Sequence, residues 1–115
     1  MDVNIKDCPV SYAVSILDGK WKIPIVWTVG KAEVIRFNEL KRRISGISNI
    51  MLSKSLQELE NDYIIKRNQY NEIPPRVEYS LTDFGSEVQP VLELLGEWGA
   101  QAMCLKNNTT SDVSK

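Results

Sequence analysis

The stretch RFNELKRRISGISNIMLSKSLQ, residues 36–57, decides the fold. Asn38 reads as the N-cap of a helix that sets Phe37, Leu40 and Ile44 on one side. Ser45-Gly46 breaks it. Ser48 then reads as the N-cap of a second helix, with Ile47 before it and Leu52 behind it at the spacing of a hydrophobic staple. Continued past Gln57, that helix turns Leu52, Leu56, Leu59 and Tyr63 inward. Two helices joined by a tight glycine turn form a helix-turn-helix unit.

Charge singles out the same stretch. The whole chain carries 14 Lys and Arg against 15 Asp and Glu, a net charge of -1. Yet residues 36–57 hold five cations, Arg36, Lys41, Arg42, Arg43 and Lys54, against Glu39 alone. Asp83, Glu87, Glu93 and Glu97 meet no base between positions 83 and 104. Such a molecule is polarised, with one basic face.

Downstream, the apolar period changes from that of a helix to that of a strand. Residues 64–70 are β-prone, and Val77, Tyr79 and Leu81 alternate with Arg76, Glu78 and Ser80. Pro74 and Pro75 lack the N–H that a strand interior needs, so they belong to the tip of a hairpin. A hairpin directly after a helix-turn-helix is a wing. Thr82 caps a closing helix bearing Val88, Val91, Leu92, Leu94, Leu95 and Trp98, which Pro90 should kink or split.

Upstream, Cys8-Pro9 opens a helix with proline at its first position, where a missing N–H costs nothing. Tyr12, Ala13, Ile16 and Leu17 follow at helical spacing until Asp18-Gly19. A second helix, from about Trp21 to Val29, is apolar nearly all round and belongs in the centre of a core. The expected architecture is mainly α with a small β-hairpin, a winged helix-turn-helix over residues 1–105. The polar segment 106–115 reads as a disordered tail.

Several functions are disfavoured. The longest apolar run, 23–30, contains Pro24 and falls well short of the ~20 residues that span a bilayer. No signal peptide is evident, so a cytoplasmic protein with no membrane partner is expected. The chain has no His and two Cys, Cys8 and Cys104. That composition removes the commonest general base and leaves no zinc cluster, so neither enzyme chemistry nor a metal or other cofactor is expected.

The chain resembles the HxlR-type winged helix-turn-helix transcriptional regulators over roughly residues 8–100. The matching residues are Cys8-Pro9, Gly19-Lys20-Trp21, Arg36-Phe37, Glu39-Leu40 and Gly46-Ile47-Ser48. They continue through Leu52, Leu56, Leu59-Glu60, Asp62, Arg67 and Tyr70 into PPRVEYSLT at 74–82, the most specific segment. Gly85, Pro90-Val91-Leu92 and Trp98-Gly99 complete the set. Tyr63 departs from the pattern, because the family usually turns with a glycine there. The resemblance implies a homodimer, joined through the first and last helices, on a two-fold symmetric operator.

Double-stranded DNA is therefore the expected partner, beside a second copy of the chain. With Leu52, Leu56 and Leu59 inward, the outer helix face shows Asn49, Ile50, Ser53, Lys54 and Gln57 for base reading. Lys41, Arg42, Arg43 and Ser48 would hold phosphate. On the wing, Arg67 and Arg76 would reach the backbone or minor groove beside a tip stiffened by Pro74 and Pro75. Tyr12, Val91, Leu92, Leu95 and Trp98 are the expected dimer residues.

Cys8 stands at a helix N-terminus, where the dipole, helped by Lys6 and opposed by Asp7, would lower its thiol pKa. It is either a thiol sensor of oxidants or electrophiles, as the corresponding cysteine is in some members of the resembled family, or a small buried interface residue. The competing functional class is a winged-helix protein-interaction module without DNA binding. The sequence leaves the operator and any small-molecule effector unidentified.

Overall fold

The computed structural model describes residues 7–113, with side chains through residue 107. The chain runs α1 (Pro9–Leu17), α2 (Lys22–Ala32), α3 (Phe37–Arg43), α4 (Asn49–Asn61), β1 (Ile65–Tyr70), β2 (Arg76–Leu81), α5 (Asp83–Ser86) and α6 (Gln89–Val113). This is the mainly helical winged helix-turn-helix read from the sequence. Lys6 lies outside the described residues.

The core is built around α2. Ile25, Val26 and Val29 are fully buried, and they meet Leu40 of α3, Leu52, Leu56 and Leu59 of α4, and Tyr79 of β2 in one cluster. Not every apolar residue of α2 is enclosed, since Ile23 is exposed and Trp27 half-buried. The helix ends on Glu33, whose φ of 69° is rare for a side-chain-bearing residue. The Val34 N–H donates to the Ala32 carbonyl at 2.8 Å across it, closing a tight γ-turn. The chain then delivers Ile35 to Tyr79, and the two exchange backbone hydrogen bonds at 2.8 and 2.9 Å.

The helix-turn-helix follows. α3 begins at Phe37 with Arg36 at its N-cap and no side-chain cap. The expected N-cap, Asn38, therefore lies one residue inside the helix. Burial of Leu40 and Ile44 against the core fixes the helix without a cap. Gly46 makes the turn with φ 87°, a conformation that glycine adopts without steric cost. Ser48 is the N-cap of α4, as its sequence position predicts, and its Oγ accepts the Met51 N–H at 3.1 Å.

α4 ends in a Schellman turn. The Ile64 N–H donates to the Leu59 carbonyl at 2.9 Å, and the Tyr63 N–H to the Glu60 carbonyl at 3.1 Å. Tyr63 occupies the left-handed position with φ 63°. Its ring was expected inward, but this backbone turns it out, and it is 76% exposed. Ile64, next in line, carries the buried apolar contact instead.

β1 and β2 pair antiparallel from Ile65↔Leu81 to Tyr70↔Arg76. The Thr82 N–H then donates to the Ile64 carbonyl at 3.0 Å, and Thr82 Oγ1 caps α5 by accepting the Gly85 N–H at 2.8 Å. A Cβ on Gly85 would collide with the Ile64 carbonyl oxygen. Only glycine lets α5 approach the wing base this closely.

The expected break near Pro90 is present. α5 stops at Ser86, and α6 restarts with Pro90 in its first turn. α6 runs from Gln89 to Val113 and so extends into the segment read as a tail.

Candidate nucleic-acid interface

α4 is anchored from within. Leu52, Ser55, Leu56 and Leu59 are buried, which fixes the rotation of the helix about its axis. The opposite face presents Asn49, Ile50, Ser53, Lys54 and Gln57, all exposed. Ile50 is 79% exposed. Gln57 Nε2 donates to Asn61 Oδ1 at 3.1 Å, so its amide is oriented along the helix.

Glu58, on the flank of α4, does not face outward freely. Lys22 Nζ lies 2.9 Å from its Oε2, and the lysine is largely buried. Hydrogen bonding and charge from Lys22, aided by Lys54, hold the Glu58 carboxyl below the ordinary carboxylate range. The acidic charge on the flank of α4 is thereby neutralised by the neighbouring helix.

α3 offers its cations with a constraint. Arg42 and Arg43 are exposed, and both engage the Glu39 carboxylate, Arg43 through Nε at 2.9 Å. Glu39 thus gathers the two guanidinium groups at the end of α3. Lys41 is half-buried and Lys54 exposed.

The wing places its two arginines differently. Arg67 is exposed, with Nη1 donating to Gln69 Oε1 at 3.2 Å. Arg76, expected to face DNA, is turned onto the wing itself. Its Nη2 lies 3.2 Å from Glu72 Oε1, its Nε 3.6 Å from Glu78 Oε2, and its guanidinium 4.2 Å from the centre of the Tyr70 ring. Pro74 and Pro75 are exposed at the tip. Sequence reasoning missed two exposed residues here, Lys66 beside Arg67 and Ile73 on the tip. The outward strand position marks Lys66, but no periodic signal marks a turn residue such as Ile73.

Cys8 is the N-cap residue of α1 and half-buried, while Cys104 is exposed. No side-chain cap hydrogen bond closes at Cys8. Even so, the Ser11 backbone N–H, then the Ser11 hydroxyl and the Val10 N–H, hold its thiol below the ordinary cysteine value. Burial opposes this only in part.

Among the described residues, α1 buries none of its side chains fully. Tyr12, Val91, Leu95 and Trp98 are exposed, from 50% to 67%. Leu92, expected at the dimer contact, is a core residue of its own chain, only 5% exposed. One turn of α6 faces the body, so its apolar residues divide between two faces. Between α1 and α6 lies an apolar groove of about 600 Å³ whose lining includes Val10, Val14, Val91 and Leu95.

Residues 16–107 match the family model for the HxlR-like helix-turn-helix. An uncharacterised HTH-type transcriptional regulator of Halalkalibacterium halodurans is 47% identical over 98 residues, covering 85% of this chain and 87% of its own. The reduced form of the redox regulator HypR superposes with a TM-score of 0.81 at 36% identity, covering 88% of this chain and 99% of the other. The reduced form of the transcriptional regulator YodB of Bacillus subtilis gives 0.73 at 34% identity, with 82% and 92% covered.

Proposed function

The chain belongs to the HxlR-like helix-turn-helix family of transcriptional regulators, and from that premise we propose that it binds a two-fold symmetric DNA operator as a homodimer. The observation that carries this reading is the outer face of α4. A helix capped at Ser48 and anchored by Leu52, Leu56 and Leu59 holds Asn49, Ile50, Ser53, Lys54 and Gln57 toward solvent.

Each of those side chains has a use in the major groove. Asn49 and Gln57 can pair with an adenine edge through two hydrogen bonds, and Ile50 can meet a thymine methyl. Ser53 suits either a base or a phosphate, and Lys54 supplies charge. Lys41, Arg42 and Arg43, with the Ser48 backbone at the start of α4, hold the sugar-phosphate strands and set the register. Arg67 serves the backbone beside the wing. The exposed apolar faces of α1 and α6 support the two-fold reading, since a second copy would cover them while setting two α4 helices about 34 Å apart.

Cys8 supplies the regulatory element of this reading. A thiolate at Cys8 would attack the O–O bond of a peroxide, forming a sulfenic acid and expelling hydroxide or alkoxide. At the N-terminus of α1, such a change would act on the surface that joins two copies. The similarity to the redox regulator HypR supports a redox response in this chain. A Cys8→Ser protein should keep DNA binding but lose its response to peroxide.

The deciding experiment selects duplexes from a random library with the unmodified protein and measures affinity against salt. A preferred palindromic sequence, bound with log K falling steeply in log salt, is expected. Salt-insensitive binding without sequence preference would point to a protein-interaction module instead.

A further inference from the structure

We propose that the wing meets DNA through an apolar tip, with Ile73 as the contact residue and Arg76 as the brace that positions it. The inference rests on the DNA-binding reading of α4.

The arginine that a wing would ordinarily offer to DNA is already occupied. Arg76 is held by Glu72 at 3.2 Å and Glu78 at 3.6 Å and lies over the Tyr70 ring at 4.2 Å. Its side chain is only 30% exposed. Withdrawing it toward a phosphate would break two ion pairs and a cation–π contact and leave Glu72 and Glu78 uncompensated near the DNA. Residues 68–75 contain no other cation. The tip therefore has no free positive charge to offer.

It has an apolar one to offer. Ile73 is fully solvent-exposed, next to the exposed Pro74 and Pro75. An isoleucine this exposed at the end of a hairpin has apolar area to gain from any surface that covers it. The clamp that occupies Arg76 spans the turn, joining Glu72 on one side of Ile73-Pro74-Pro75 to Arg76 on the other. The prolines fix their own φ angles, so little ordering entropy is lost when the tip is pressed against a partner.

Six-residue strands extend about 20 Å at roughly 3.3 Å per residue. With α4 seated in a major groove, a wing of that length would lie against the adjacent minor groove. Apolar side chains enter minor grooves as wedges at base steps. The floor there distinguishes A·T from G·C by the guanine amino group. Ile73 over that group would desolvate a donor without pairing it, so the tip should prefer A·T pairs.

The test uses the operator selected by the unmodified protein. Ile73→Ala should melt like the parent, bind roughly five- to tenfold more weakly, and leave the salt slope unchanged. Replacing A·T by G·C under the wing should weaken the parent and not Ile73→Ala. Arg76→Met combined with Glu72→Gln and Glu78→Gln, which removes the clamp without leaving its carboxylates bare, should also weaken binding, and adding Ile73→Ala should weaken it no further, since both act through one contact. A slope made shallower by about 0.9 in the clamp-free variant would show a phosphate contact and overturn the brace role. Parent-like binding by Ile73→Ala would overturn the inference alone. No sequence-specific binding by the parent would overturn the DNA reading and this inference with it.

Discussion

Lys22 Nζ stands 2.9 Å from Glu58 Oε2, tying the first turn of α2 to the outer half of α4. The pair joins the central core helix to the helix proposed to read DNA. Because Glu58 is held below its ordinary value of 4.5 by Lys22, the folded state favours the carboxylate more than the unfolded chain does. That stabilisation is complete above the ordinary value and is lost as pH falls through the lowered folded one. Glu58→Gln should therefore lower the thermal midpoint at pH 7 and match the parent in strong acid. Midpoints that differ equally at both extremes would exclude the ion pair as the cause.

Tyr63 takes a left-handed backbone conformation, φ 63°, at the C′ position of the α4 Schellman turn. A non-glycine residue pays about 1–2 kcal/mol there, while glycine loses about 0.5–1 kcal/mol more chain entropy on folding. Tyr63→Gly should thus gain roughly 0.5–1 kcal/mol, seen as a rise of a few degrees in melting temperature. The ring is 76% exposed, so its loss offsets little. Tyr63→Ala keeps the backbone strain and should show no gain.

The elements were legible where local chemistry and apolar period agreed. Ser48 announces α4 because a hydroxyl cap and a staple sit together, and the two prolines at 74–75 announce the hairpin tip. Side-chain pairing was harder to see. Glu39 stands three and four residues before Arg42 and Arg43, a spacing that already implies ion pairs on a helix. The Arg76 clamp carries no such periodic mark, since it depends on the turn bringing Glu72 back beside β2. Leu92 is hard to place from sequence because α6 is apolar on two faces, and it both packs on the core and lines the groove beside α1.

Glu39 holds Arg42 and Arg43 on one carboxylate, so it competes with any phosphate for both. Glu39→Gln should strengthen binding to all duplexes alike and steepen the salt dependence. Arg42→Ala should do the reverse, making the slope shallower by about 0.9 if one phosphate contact is lost. Affinity measured across a salt series on specific and scrambled duplexes separates the two. An unchanged slope in both variants would remove α3 from the interface.

Asn49 and Gln57 lie on the exposed face of α4 and contribute nothing to the buried cluster. Replacing either by Ala should leave the melting temperature within a degree or two, since exposed substitutions usually fall within about 0.5 kcal/mol. Discrimination against a mismatched base pair should drop by about 1–3 kcal/mol at the position that residue reads. The measurement is affinity for the selected operator against its single-base variants. Full discrimination in both variants would place base reading elsewhere on the helix.

The apolar surface of α6 sets the last expectation. The helix has 25 residues, about 37 Å at 1.5 Å per residue, and Leu95 and Trp98 on it are 50% and 67% exposed. Leu92, on the inward face, already secures the helix to its own core. A substitution on the outward face should therefore separate association from folding. Leu95→Glu or Trp98→Glu should give a folded monomer by light scattering with an unchanged helical spectrum, because each places a charge where a second copy would desolvate it. Operator affinity should fall at least tenfold, since one α4 would then have to hold its half-site alone. A parent protein that is monomeric at micromolar concentration and still binds a palindrome would show that the two halves assemble only on DNA. An unaltered dimer in both variants would move the interface off α6.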